Sequence, residues 1–201
     1  MPGDEEQREQ LTDAPVIRSF GWEDMFVPPD EDPRSQAPSV GERATLVNYL
    51  RAYRQTLELK CAGLDAKALA CRSVPPSDLS LLGLVRHLAD VERYWFRQVL
   101  AGEDVAAIFR TDDDRDATFS GALPERAVVA EAWAAWRDEM AFAERFVDEA
   151  PDLEVTGTLG RGGQDGSVSL REVLVHMIEE YARHCGHADF LRERIDGRIG
   201  Q

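Results

Sequence analysis

Ser169-Leu-Arg-Glu172-Val-Leu-Val-His176-Met-Ile-Glu179-Glu180-Tyr-Ala-Arg-His184-Cys-Gly-His187-Ala-Asp-Phe-Leu-Arg-Glu193 is the stretch whose reading decides the fold. Three of the four histidines in the chain fall between positions 176 and 187, together with two adjacent glutamates. At about 100° per residue, a helix brings His176, Glu180, His184 and His187 within roughly 80° of arc, one stripe down one side. Ser169 and Glu172 form a capping-box pattern at its start, and Gly197 is a natural stop. A stripe of imidazole and carboxylate beside an apolar face is costly unless something binds it.

A second helix is predicted from near Ser80 to Gly102, with Leu84, Leu88, Val91, Trp95 and Val99 as its buried stripe. His87 borders that stripe, with Asp90 and Tyr94 near its side. Ser80 precedes His87 by the same interval that separates Ser169 from His176. Both histidines therefore stand two turns into capped helices, and His87 is expected to face the polar stripe of the last helix. Ser39-Val-Gly-Glu42 reads as another capping box, ahead of Leu46, Leu50, Tyr53, Leu57 and Cys61 at helical spacing. Gly63 and Leu64 lead into a shorter helical turn closed by Pro75-Pro76. A further helix is expected to open at Pro124 and run to about Glu149. Its seam is Val129, Trp133, Trp136, Met140, Ala143 and Val147, with the tryptophans read as core in preference to pocket lining. Four long amphipathic helices and little strand make the expected fold all-α, a four-helix bundle.

Residues 1–38 form a proline-rich, acidic N-terminal extension, and residues 39–201 the bundle domain. Within the extension, Phe20-Gly-Trp22-Glu-Asp-Met25-Phe26 is apolar enough to anchor it across the body or to rim a pocket. Thr111 to Asp116 is acidic but lacks the ligand pattern of a calcium loop, and Gly160-Arg-Gly-Gly163 lacks a phosphate-binding signature. These read as a solvated loop and as a mobile loop or small hairpin.

Composition limits the partners. The 23 Lys and Arg against 38 Asp and Glu leave a net charge of −15, which repels nucleic acid and anionic membranes. No apolar run approaches the roughly 20 residues of a spanning helix, and the N-terminus does not read as a signal peptide. Cys61, Cys71 and Cys185 form no ligand spacing and leave one unpaired, which suits a reducing cytoplasm.

The helical stripe points to a divalent metal. Glu180 and His184, four residues apart, give one helix two ligands, and His87 completes a three-ligand set that leaves a coordination position open. His176 is a reserve ligand. His–carboxylate mixtures suit zinc, nickel, iron or cobalt. The competing reading is a set of hydrogen-bonded interface histidines, with Glu179 and Glu180 as surface charges.

Leu84-Val-Arg-His87-Leu-Ala-Asp-Val-Glu-Arg-Tyr-Trp95 and Glu179-Glu-Tyr-Ala-Arg-His184-Cys-Gly-His-Ala-Asp-Phe-Leu-Arg192 resemble the two signature helices of the DinB/YfiT-like superfamily. More narrowly they are similar to its actinobacterial DUF664 branch, over roughly residues 40–197. The resemblance implies His87, Glu180 and His184 as metal ligands, with zinc or nickel as the ion. Many members have histidine in place of Glu180, and Arg-Gly-Gln where this chain has Cys185-Gly186-His187. The His/Glu/His set is instead similar to the mycothiol-dependent maleylpyruvate isomerase branch. The implied activity is that of a metal-dependent S-transferase or isomerase, using mycothiol or a similar low-molecular-weight thiol on small electrophiles. His187 or Tyr94 would handle protons, and His187 is equally open as a further ligand or a group behind the ligands. Glu179 would orient a ligand or meet solvent. Arg86, Arg93 and Arg183 would bind a polar thiol. Cys185, well round the helix from Glu180, is a weaker nucleophile candidate. The expected partners are thus a small-molecule thiol and an electrophile, with a homodimer allowed. A hydrolase using metal-activated water and a non-catalytic, stress-related metal-binding protein are the rival readings.

Overall fold

The computed structural model describes residues 26–34, 38–111, 113–114, 116–159 and 166–200. The expected all-α four-helix bundle is observed, with one small hairpin added. Its elements are α1 (Glu42–Cys61), α2 (Ala66–Leu69), α3 (Leu81–Glu92), a π-helical continuation (Arg93–Leu100), α4 (Ala117–Ser120), α5 (Arg126–Glu149), β1 (Thr156–Leu159), β2 (Gly166–Ser169) and α6 (Leu170–Asp196). α1 packs along α6, and α3 along α5. Leu57, Leu84, Leu88, Phe96, Trp136, Leu174, Met177 and Tyr181 are among the side chains wholly withdrawn from solvent at the centre.

Local chemistry explains the ends of α6 and α3. Ser169 and Glu172 satisfy each other's backbone N–H groups in a complete capping box, and Gly197 closes α6 in the left-handed conformation (φ 76°). Ser80 caps α3 by accepting from the Gly83 N–H at 3.1 Å. The capping box expected at Ser39 does not form. α1 begins at Glu42, after Gly41 at φ 91°, so Ser39 lies too far upstream to reach the orphan N–H groups. Its hydroxyl instead accepts from the Asn48 amide, and Glu42 pairs with Arg171 of α6 at 2.7 Å.

The second long helix departs from its expected stripe. From Arg93 to Leu100 the backbone follows the i→i+5 ladder, and the Ala101 N–H still bonds back to the Phe96 carbonyl at 3.0 Å. Wider turns rotate less per residue. The buried line runs through Leu84, Leu88 and Glu92 in α3, where Val91 is only half-buried, and the π turns carry it on through Phe96, Val99 and Leu100 and leave Trp95 half-buried. α5 differs in a similar way. Glu125 is extended (φ −115°, ψ 134°), so the helix opens at Arg126 and Pro124 lies outside its first turn. Its buried seam is Ala132, Trp136, Glu139, Ala143 and Val147, with Val129, Trp133 and Met140 half-buried. Glu139 is drawn inward because Arg93 and Arg97, both on the π segment, each donate to one of its oxygens at 2.6 Å.

The four long helices also share a buried polar network. Arg54 of α1 donates to both oxygens of Glu92 on α3, at 2.8 and 2.7 Å. Tyr181 of α6 donates to Glu92 Oε1 at 2.8 Å, and Trp136 of α5 donates to the Tyr181 hydroxyl at 2.8 Å. Burial, followed by the Glu92 carboxylate, raises the Tyr181 phenol well above its ordinary range.

β1 and β2 pair antiparallel with Thr156 opposite Ser169. Gly157 lets the hairpin lie against the end of the π segment, because a Cβ there would sit 2.2 Å from the Val99 carbonyl oxygen. The tip expected to be glycine-rich, 160–165, lies outside the described residues, as do residues 20–25 of the expected apolar anchor. Phe26, its last member, packs its ring beneath the cations of Lys60, Arg192 and Arg198, around the C-terminal end of α6.

Candidate metal centre and the cavity beside it

α3 and α6 bring His87 to the pair Glu180 and His184, from which the sequence separates it widely. His87, Glu180 and His184 each offer a ligand atom, and these atoms all lie within 4.8 Å of one another. Glu180 Oε2 is 3.8 Å from His87 Nε2 and 3.4 Å from His184 Nε2. Bonds of about 2.0–2.1 Å to a shared tetrahedral ion would space such atoms by about 3.3 Å. The observed separations are too long for good hydrogen bonds and close to that spacing. Among the described residues this is the one group of three or more candidate ligands with such convergence.

The surroundings keep both imidazoles neutral. Burial lowers the His87 pKa, against the opposing pull of Glu180 and Asp90. His184 is pushed down to about 3, first by burial and then by His87, His187 and Arg183. A neutral ring keeps the lone pair a metal requires. The rings are also held in place. The Nδ1 atoms of His184 and His187 lie within hydrogen-bond reach at 3.2 Å, with His184 Nε2 turned towards Glu180. His187 thereby stands behind a candidate ligand. His87 stacks on Phe119 at 5.6 Å between ring centroids, with 27° between the planes. His176 lies 3.6 Å from the other oxygen of Glu180 and against Trp95, with ring centroids 4.7 Å apart.

A cavity of about 790 Å³ opens beside this group. His87, His176, Glu180, Tyr94, Trp95 and Phe119 are among its lining residues, and the loop after the π segment closes part of it with Ala106, Ala107, Arg110 and Thr111. The rotation of the π segment puts Trp95 into this wall, beside Val91 of α3. Asp90 anchors the loop by accepting from the backbone N–H groups of Ile108 (2.6 Å), Phe109 (3.3 Å) and Arg110 (3.2 Å).

Other expected roles are reassigned. Arg86 donates to the carbonyls of Thr118 and Ala117 and lies over the Phe109 ring, so it is a structural strut for α4. Arg93 is spent on Glu139 and the Ala106 carbonyl. Arg183 is exposed on α6 and does not line the cavity, whereas Glu179 meets solvent, one of its two expected roles. Cys185 is buried with its thiol towards the Tyr53 carbonyl, and burial pushes its pKa up to about 12, which removes it as a nucleophile. Trp136 is core, as read, and Trp133 packs beside it.

Phe119 and Arg110 escaped the sequence reading. They lie in the long connection between the second and third long helices, where no periodic signal marks a residue that folds back over a site. Asp90 was noticed, but its partners are backbone amides, which no side-chain pattern announces. No helix among the described residues is long and apolar enough to cross a membrane.

A model of the mycothiol-S-transferase family matches residues 45–197, a span that includes all three converging residues. Among solved structures, a conserved protein from Enterococcus faecalis superposes with a TM-score of 0.54 at 14% identity, covering 79% of this chain and 99% of that one. At that identity the likeness speaks to the fold alone. No curated protein matches the sequence significantly.

Proposed function

Because the chain belongs to the mycothiol-S-transferase family, a DinB/YfiT-like family, we propose that it is a metal-dependent enzyme transferring mycothiol or a similar small thiol to small electrophiles. The observation that carries this reading is the meeting of His87, Glu180 and His184 at the wall of an open cavity. His87, Glu180 and His184 would hold the divalent ion. Two imidazoles and a carboxylate suit zinc or nickel and leave room for a further ligand. A divalent cation held there supplies the positive charge that keeps a coordinated thiol deprotonated near neutral pH.

The remaining work falls to the chain. His187 holds the tautomer and orientation of His184 through the Nδ1 contact. Phe119 fixes the His87 ring from behind. Trp95 and Phe119 present apolar walls to the space beside Glu180. Tyr94 lines the same space and is the group placed to pass a proton to or from the substrate. His176, against the second oxygen of Glu180, orients that carboxylate.

Thiol-dependent turnover tests this function. Zinc- or nickel-loaded protein is expected to conjugate mycothiol to an electrophile panel, with His184→Ala abolishing the rate above background. Ester hydrolysis without thiol, equally sensitive to His184→Ala, would instead indicate water as the nucleophile.

A further inference from the structure

Arg110 is the one lysine or arginine among the residues lining the cavity. The neighbouring arginines are all engaged: Arg86 by two carbonyls, Arg93 and Arg97 by Glu139. Among the described residues, no hydrogen bond or ion pair engages the Arg110 guanidinium, although it is half-buried in a chain with 38 acidic residues. Its backbone is nonetheless fixed. The Asp90 carboxylate takes the N–H groups of positions 108, 109 and 110 in succession, so the loop presents Arg110 to the cavity from a clamped base. Asp90 is correspondingly occupied and does not serve as the counter-ion.

An unpaired guanidinium on a fixed loop, beside a candidate reaction centre, is a receptor for a planar anion. A carboxylate matches its fork with two parallel N–H···O bonds. Trp95 and Phe119 supply apolar faces for the rest of such a molecule. We infer that Arg110 binds the carboxylate of the electrophilic substrate, and so selects small carboxylate-bearing electrophiles with an apolar body. This rests on the proposed transferase reading for the word substrate, while the anion site itself does not.

Two measurements separate those layers. The first is calorimetric titration of the purified protein, without thiol, with 3-phenylpropionate and with 3-phenylpropionamide. The acid is expected to bind more tightly than the amide. Arg110→Gln should weaken the acid by roughly 10- to 100-fold and leave the amide unchanged, with Arg110→Lys between the two. The second is steady-state kinetics with one thiol held constant and an α,β-unsaturated acid compared with its primary amide. Arg110→Gln should raise KM for the acid by a similar factor, with kcat changed much less and the amide unaffected. Equal binding of acid and amide, or acid binding insensitive to Arg110→Gln, overturns the inference whatever the kinetics show. Arg110-dependent acid binding without any thiol-dependent turnover upholds the anion site and removes the transferase function. If Arg110→Gln changes turnover of the acid and the amide alike, the guanidinium does not read the electrophile's carboxylate and the assignment to the electrophile is wrong.

Discussion

Two clusters of ionisable groups bridge α3 and α6, and they are built on opposite plans. In the first, Arg54, Glu92, Tyr181 and Trp136 take one residue from each long helix and close on themselves. Each Glu92 oxygen receives a donor at 2.7–2.8 Å, and the Tyr181 hydroxyl both gives and receives. In the second, Glu180 stands 3.8 Å from His87 and 3.4 Å from His184, too far for good hydrogen bonds, at the edge of a cavity. Glu180 and Tyr181 are adjacent in sequence, yet one serves the open cluster and the other the closed one. A buried polar group finds its partner inside the protein or brings one from outside. The closed cluster organises the bundle, and the open one is arranged for a guest.

This contrast is broken most severely at Glu92. Glu92→Ala leaves buried Arg54 with only the exposed Glu144 carboxylate, at 3.6 Å, as counter-charge, with an expected loss of about 3–5 kcal/mol in unfolding free energy. Denaturant titration would show it. His87→Ala in metal-stripped protein is expected to cost under about 1 kcal/mol by the same measurement. Comparable losses at the two positions would erase the distinction.

Tyr181→Phe is a smaller perturbation of the closed cluster. It removes one hydroxyl and orphans the Trp136 N–H, for an expected loss of about 1–3 kcal/mol. Metal affinity should be unchanged, although residue 180 is the immediate neighbour.

Acid should act on the open cluster. His184 has its folded pKa depressed to about 3 from an ordinary 6.5, so the unfolded chain binds the extra proton between those values. Its contribution is fully present above about pH 6.5 and is lost as the pH falls towards 3. The metal-stripped protein should therefore lose stability across that window, and His184→Ala should flatten the slope. A slope that the substitution does not change would place the proton uptake elsewhere.

The mildest test concerns thiols. Burial pushes Cys61 and Cys185 up to about 12, while Cys71 is exposed. At pH 8 a thiol reagent should modify Cys71 in the native protein and the other two only after unfolding. Fast native labelling of Cys185 would mean that the wall behind the open cluster is looser than described.

The sequence and structure agree where the physics is local. The capping box at Ser169, the stop at Gly197 and the four-residue step from Glu180 to His184 are written in consecutive turns of one helix, and all three are observed. The partnership with His87 was legible because it too follows a capped helix start. What escaped depends on contacts distant in sequence. The π turns shift Trp95 from the expected core stripe to the cavity wall, a change of backbone ladder that residue spacing does not encode. Glu139 is buried because two arginines from another helix reach it. Asp90 folds a long connection over the site through backbone amides, and that placement brings in Arg110.

The central claim is that the open cluster holds a metal. Its most direct test is elemental analysis joined to equilibrium titration of zinc and nickel into stripped protein, for the wild type, His87→Ala, Glu180→Ala and His184→Ala. The account predicts about one ion per wild-type chain, and affinity lowered at least about tenfold by each substitution with the helical spectrum intact. Failure of the wild type to bind either ion, or binding that survives all three substitutions, would contradict it.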